Sequence, residues 1–200
     1  MTQKALGKPL FSLPESYEIL FQAIRTVPYM MRGEKNGLLS PALRERLMMA
    51  VTEVNGCAMC SYYHAQMALE TGMNSDEIHN MLSGELQGVP EEELTAILFA
   101  QHYADTRGKP DQAAWNKLKE QYGQETALAI LGAIRAIMAG NTYGIPAGSL
   151  LHRLGVKRFH TDKRSTPAYE LAILLLSVPF TPVAMVQAGA AKLLHRSVEP

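Results

Sequence analysis

The sequence predicts an all-α fold, and three observations carry that prediction. Alternating Val, Ile, Thr and aromatic runs, the mark of half-buried strands, hardly occur. Long helix-forming stretches recur, separated by Gly, Pro and Asn-Gly punctuation. Several of these stretches open on a capping residue followed by Pro or acidic side chains, as helix starts do. At 200 residues and 47% hydrophobic, the chain can bury one substantial core and is too short for two large ones.

The first 39 residues read as a loop-rich arm with one short helix around 17–25. Ser40-Pro41 then starts a helix, with Ser as cap and Pro in the first turn; it stops at Asn55-Gly56, a left-handed terminus. A second helix begins near Cys57 and ends at Thr71-Gly72. Asn74-Ser75-Asp76-Glu77 caps a short one reaching about Ser83. Pro90 and three glutamates, placed well for the positive end of a helix dipole, open a longer one to Thr106. Asp111 caps a helix whose Trp115, Leu118 and Tyr122 share a face. The apolar stretch from Gln124 to about Ala139 reads as the most buried helix, ending at Gly140. A loop is expected over 141–148, then a short helix over 149–154. The core would thus occupy 40–155. A basic linker and a final helical pair, broken by Pro-Phe-Thr-Pro at 179–182, would complete the chain over 156–200.

Composition narrows the function. Lys+Arg and Asp+Glu both number 19, so no global field favours nucleic acid or an anionic membrane, and no basic run supplies a local one. The near-neutral chain permits self-association. Residues 1–13 lack the apolar stretch of a secretory signal, which points to the cytoplasm. Residues 171–191 carry no charge and approach the length of a membrane span, roughly 20 residues, yet Pro179 and Pro182 argue against spanning. Only two cysteines occur, three residues apart. A disulfide there closes too small a loop to restrain the unfolded chain much, so a catalytic or metal-binding role is the better expectation.

The stretch that carries chemistry is Glu45 followed by Asn55-Gly56-Cys57-Ala58-Met59-Cys60-Ser61-Tyr62-Tyr63-His64. At about 100° per residue, Cys57 and His64 project within about 20° of each other, and Cys60 lies about 60° to the side. All three can share one helix face. Cys57 sits at the helix start, where free backbone N–H groups and the dipole favour a thiolate, the reactive form. A second thiol one turn on can close a disulfide after the first is oxidised. His64 can take the proton of Cys60, and a carboxylate from the preceding helix would orient that imidazole. Glu45 is the candidate, three turns before the Asn-Gly break; Glu53 is the rival.

This pattern resembles the core signature of alkylhydroperoxidase D and its relatives in the carboxymuconolactone decarboxylase family. Arg-Glu-Arg-Leu-Met-Met-Ala-Val-Thr-Glu-Val-Asn-Gly-Cys around it, with Gly72 and Asp76-Glu77-Ile78 downstream, fits the same domain over 40–82, and more loosely to about Gly140. The resemblance implies a helical domain assembling into trimers or hexamers, with no cofactor. It implies reduction of a hydroperoxide through a sulfenic acid on Cys60, with Cys57 as resolving partner and Glu45 and His64 as proton relay. It also implies an external dithiol or lipoyl-type reductant. Decarboxylases of the family usually lack the cysteine pair, which favours the redox branch. Met59 stands where alkylhydroperoxidase D has a histidine, so one proton-handling group is missing here.

Other readings stand beside this one. The cysteines could be small buried hydrophobes, or two ligands of a zinc site that the sequence does not complete. The protein could exchange disulfides or sense redox state without turning over peroxide, or be a non-redox lyase or binding protein. His79, His102, His152 and His160 have no partner motif and read as surface, capping or structural residues. The methionines at 48, 49, 59, 67 and 73 read as core filling, and Tyr62 and Tyr63 as pocket lining or core.

Overall fold

The computed structural model describes residues 8–200, so the first seven residues of the expected N-terminal arm lie outside it. Among the described residues there are eight α-helices, one short 3-10 turn and no strand. In chain order the helices are α1 (Leu13–Lys35), α2 (Pro41–Asn55), α3 (Ala58–Glu70), α4 (Ser75–Leu82), α5 (Leu94–Asp105), α6 (Gln112–Tyr122), α7 (Gln124–Arg153) and α8 (Pro167–Leu193). The 3-10 turn, Glu91–Glu93, precedes α5.

Three expectations are corrected. The N-terminal segment is not a loop-rich arm with a short helix: α1 runs 23 residues. A reciprocal capping box starts it, Ser12 accepting from the Glu15 amide while Glu15 accepts from the Ser12 amide. The loop expected over 141–148 is helix, and α7 continues unbroken to Arg153 through Pro146. The expected C-terminal pair is one helix, α8, which passes through both Pro179 and Pro182. Each proline removes one backbone donor, a cost that the packing of a long helix offsets.

The centre of the bundle is α7, which packs against α1, α2, α3, α5, α6 and α8. Its apolar residues Ile130, Leu131, Ile134 and Met138 are fully buried. Contact with α1 is close because small residues line it. A side chain at Gly132 would meet the Thr26 carbonyl at 2.7 Å and the Met30 amide at 2.9 Å. Helix α2 is buried nearly all round, including Leu47, Met49, Ala50 and Val51. Its charged residues are therefore paired. Arg46 donates to Glu77 of α4 at 2.6 Å and to Glu93 at 2.9 Å.

Beyond α7 the chain straps back over the bundle. Phe159 is buried beside Tyr62 and Tyr63 of α3. Arg164 grips the buried Asp162 carboxylate and donates to the Asn55 carbonyl at 2.9 Å, capping the C-terminal end of α2. The methionine expectation divides. Met48, Met49 and Met73 are core, Met59 is half-buried, and Met67 is exposed, as are Tyr62 and Tyr63.

Candidate functional site

The site forms where α2 turns into α3. Gly56 ends α2 in the left-handed region at φ 73°, a conformation glycine adopts without strain. Cys57 follows as the N-cap of α3 in an extended conformation, and its sulfur accepts from the Cys60 amide at 3.2 Å. Cys60 is the third residue of α3, and the two sulfurs form a disulfide with the Cα atoms 5.3 Å apart. Cys57 is fully buried, whereas Cys60 keeps 7% of its surface exposed.

The pair rests on a bare stretch of backbone. Gly140, Gly144 and Gly148 recur every four residues on α7, so they share one face. A Cβ at Gly144 would lie 2.7 Å from the Cys60 sulfur and 2.9 Å from that of Cys57. A Cβ at Gly148 would meet Met59 at 3.2 Å. The Gly140 carbonyl oxygen lies 3.6 Å from the Cys60 sulfur. Nearby, the Thr52 hydroxyl donates to Asn141 Oδ1 at 3.0 Å, tying α2 to α7 in the interior.

Glu45 and His64 also meet. His64 lies one turn after Cys60 on α3, and its Nδ1 is 2.8 Å from Glu45 Oε2. Glu45 is fully buried, and its other oxygen accepts from Arg44 Nε at 2.9 Å. Arg44 in turn donates to Glu34 of α1 at 2.8 Å. Burial raises the Glu45 pKa, but the hydrogen bonds and charges of His64 and Arg44 outweigh it and leave the carboxyl below its ordinary value. It is therefore an anion at neutral pH. Its contact with Nδ1 directs the other imidazole nitrogen away from the carboxylate.

A cavity of about 240 Å³ is lined by Gly144, whose backbone also lies beneath the sulfurs, though neither cysteine nor His64 lines it. Met59, Ile145 and Phe159 give it apolar lining, and His160 and Lys163 stand on the strap side. Among the described residues, no three His, Cys, Asp or Glu side chains are grouped to hold a metal ion.

The structure thus brings together Cys57, Cys60, His64 and Glu45. It leaves out the rival carboxylate Glu53, which packs against Gly84. His102 pairs with Asp111 at 3.1 Å, and His152 meets His160 edge to face. Sequence reasoning missed Arg44, Glu34, Arg164 and the α7 glycines. Only the glycines left a signal, a four-residue spacing that marks one helix face.

Fold and site together define an all-helical protein with a cysteine pair spaced for redox chemistry. Residues 21–102 match the Carboxymuconolactone decarboxylase family, a span beginning inside α1, earlier than the motif alone indicated, and ending in α5. Over 136 residues the chain is 24% identical to the uncharacterized protein YdfG of Bacillus subtilis (strain 168), covering 66% of this chain and 92% of that protein. No solved structure matches the chain.

Proposed function

We propose that this protein is a dithiol peroxidase that reduces hydroperoxides through a Cys57–Cys60 disulfide cycle. The observation that carries the reading is the 2.8 Å contact between the buried Glu45 carboxylate and His64, one turn from Cys60. An imidazole held by a carboxylate is a general base, and the thiol one helical turn away is the one it would activate.

In the proposed cycle His64 takes the Cys60 proton. The Cys60 thiolate attacks the distal oxygen of a hydroperoxide, the O–O bond breaks, and the departing alkoxide takes a proton to leave as alcohol. Cys60 is now a sulfenic acid. The Cys57 sulfur attacks it, the S–S bond forms, and water leaves. An external dithiol then reduces the disulfide by two exchange steps and is itself oxidised. Cys60, the more exposed sulfur, is the one a reductant meets first. Its attack expels Cys57 as a thiolate, which the Cys60 amide and the start of α3 stabilise. The apolar lining of the adjacent cavity favours organic hydroperoxides.

Stopped-flow oxidation of the reduced protein by several hydroperoxides, with mass spectrometry locating the oxidised sulfur, tests the cycle. Cys60→Ser abolishes turnover, and Cys57→Ser undergoes one oxidation and halts. Wild-type turnover in both variants refutes it. Disulfide exchange with a dithiol but no peroxide consumption would assign the same residues to thiol–disulfide exchange.

A further inference from the structure

Helix α8 lies beyond the family-matched segment, and most of it faces solvent. At about 100° per residue, Leu171, Leu175, Val178, Met185 and Leu193 fall within about 40° of a common line. All five are exposed, Leu175 at 68% and Val178 at 73%. They form an apolar stripe along a 27-residue helix, roughly 40 Å long at the usual rise. The opposite side, through Ile173, Ala184 and Ala191, packs onto the bundle against α1 and α7. By length and composition α8 could cross a membrane, but this side of it is packed on the bundle. Its outward face is nonetheless as apolar as a buried one.

Beside the last third of the stripe opens a groove of about 520 Å³ between α1 and the end of α8. Arg25, Arg32, Lys192, His195 and Arg196 line it, with Tyr29 on its wall. Among the described residues, its one lining carboxylate is Glu199, which already accepts from Trp115, Lys119 and Gln124. The ion pairs of the described residues include none of Arg25, Arg32, Lys192 and Arg196. Burial, with the charges of Arg135 and Arg196, lowers the Arg25 pKa, the direction expected where cations crowd. The sequence disperses these residues over more than 170 positions, so a zero net charge hides a positive corner that folding assembles.

We propose that the α8 stripe and this cationic groove dock the folded bundle on an anionic phospholipid surface. The stripe enters the boundary between headgroups and acyl chains, and the groove takes anionic headgroups. Charge decides between this surface and a second copy of the chain. The single carboxylate of α8, Glu170, is buried and bound to Arg153, so an α8-to-α8 contact offers the groove no anion. Lipid phosphate offers many.

Co-sedimentation of the intact protein with vesicles tests the proposal. Vesicles containing phosphatidylglycerol bind it, and phosphatidylcholine vesicles bind it far less. Arg32→Gln with Lys192→Gln weakens binding roughly 25-fold, about fivefold for each cation removed. Leu175→Asn with Val178→Asn abolishes it; both sites are solvent-exposed, and retained thermal unfolding confirms the fold. No binding to phosphatidylglycerol vesicles, or equal binding to both kinds, overturns the proposal. So does sedimentation velocity in which the Leu175→Asn, Val178→Asn variant alone becomes a monomer, because the stripe then belongs to a second copy.

Discussion

Replacing Gly144 by alanine probes the seat of the two sulfurs directly. The added methyl would sit 2.7 Å from the Cys60 sulfur and 2.9 Å from the Cys57 sulfur. Comfortable contact needs about 3.5–4.0 Å, so α7 and the start of α3 must part by roughly 1 Å. Overpacking of this kind costs about 1–3 kcal/mol, while alanine in a helix interior recovers about 1 kcal/mol relative to glycine. We expect a net loss near 1 kcal/mol, which lowers the Tm of the oxidised protein by roughly 2–4 °C at this chain length. The kinetic effect should be larger. A displacement of about 1 Å between reacting groups can cost on the order of a hundredfold in rate, and here it separates the cysteine helix from its support. Gly189→Ala is the control, since nothing lies within 4 Å of its added methyl. That variant should gain about 0.5–1 kcal/mol. The assays are thermal unfolding of the oxidised forms and stopped-flow disulfide formation in the reduced ones. If Gly144→Ala is as stable as Gly189→Ala and oxidises at the wild-type rate, the sulfurs do not rest on α7.

Glu45→Gln should slow oxidation by up to about 10²–10⁴-fold, the usual contribution of general acid–base catalysis; an unchanged rate removes the relay. The same variant has a pH signature. A depressed carboxyl pKa contributes stability that is present above the unfolded value, about 4.3, and lost as pH falls through the lower folded value. Urea unfolding from neutral pH to about pH 3 should therefore show a steeper acid decline in the wild type than in Glu45→Gln, and parallel curves would contradict that. Arg164→Leu strands the buried Asp162 carboxylate and uncaps α2, a loss of about 3 kcal/mol by chemical denaturation; a loss under 1 kcal/mol would show the clamp to be idle.

The site was legible because it is local. A helix start, a seven-residue interval and a preceding antiparallel helix fix Cys57, Cys60, His64 and Glu45 without knowledge of the remainder. What the sequence concealed depends on distant packing. Pro28, Pro146, Pro179 and Pro182 all lie inside helices. Read alone, each marks a break; in a helix buried or seated along its length, one missing hydrogen bond is outweighed. Gly140, Asn141 and Gly144 read as loop residues for a similar reason. They are there so that backbone can approach sulfur and so that a buried amide can accept from Thr52. The capping box at Ser12 and Glu15 starts α1 earlier than the short helix expected around 17–25. Nothing in the sequence marks Arg44, yet it bridges Glu34 and Glu45.

The Arg164 clamp and the α7 glycines carry a lesson for anyone trimming or transplanting this chain. The stretch shared with the family holds both thiols, the imidazole and the carboxylate in their proper order. A fragment cut at residue 102 would inherit every reactive atom and lose the α7 backbone on which the thiols rest. Grafts intended to carry the chemistry must bring the distal third of the polypeptide with them.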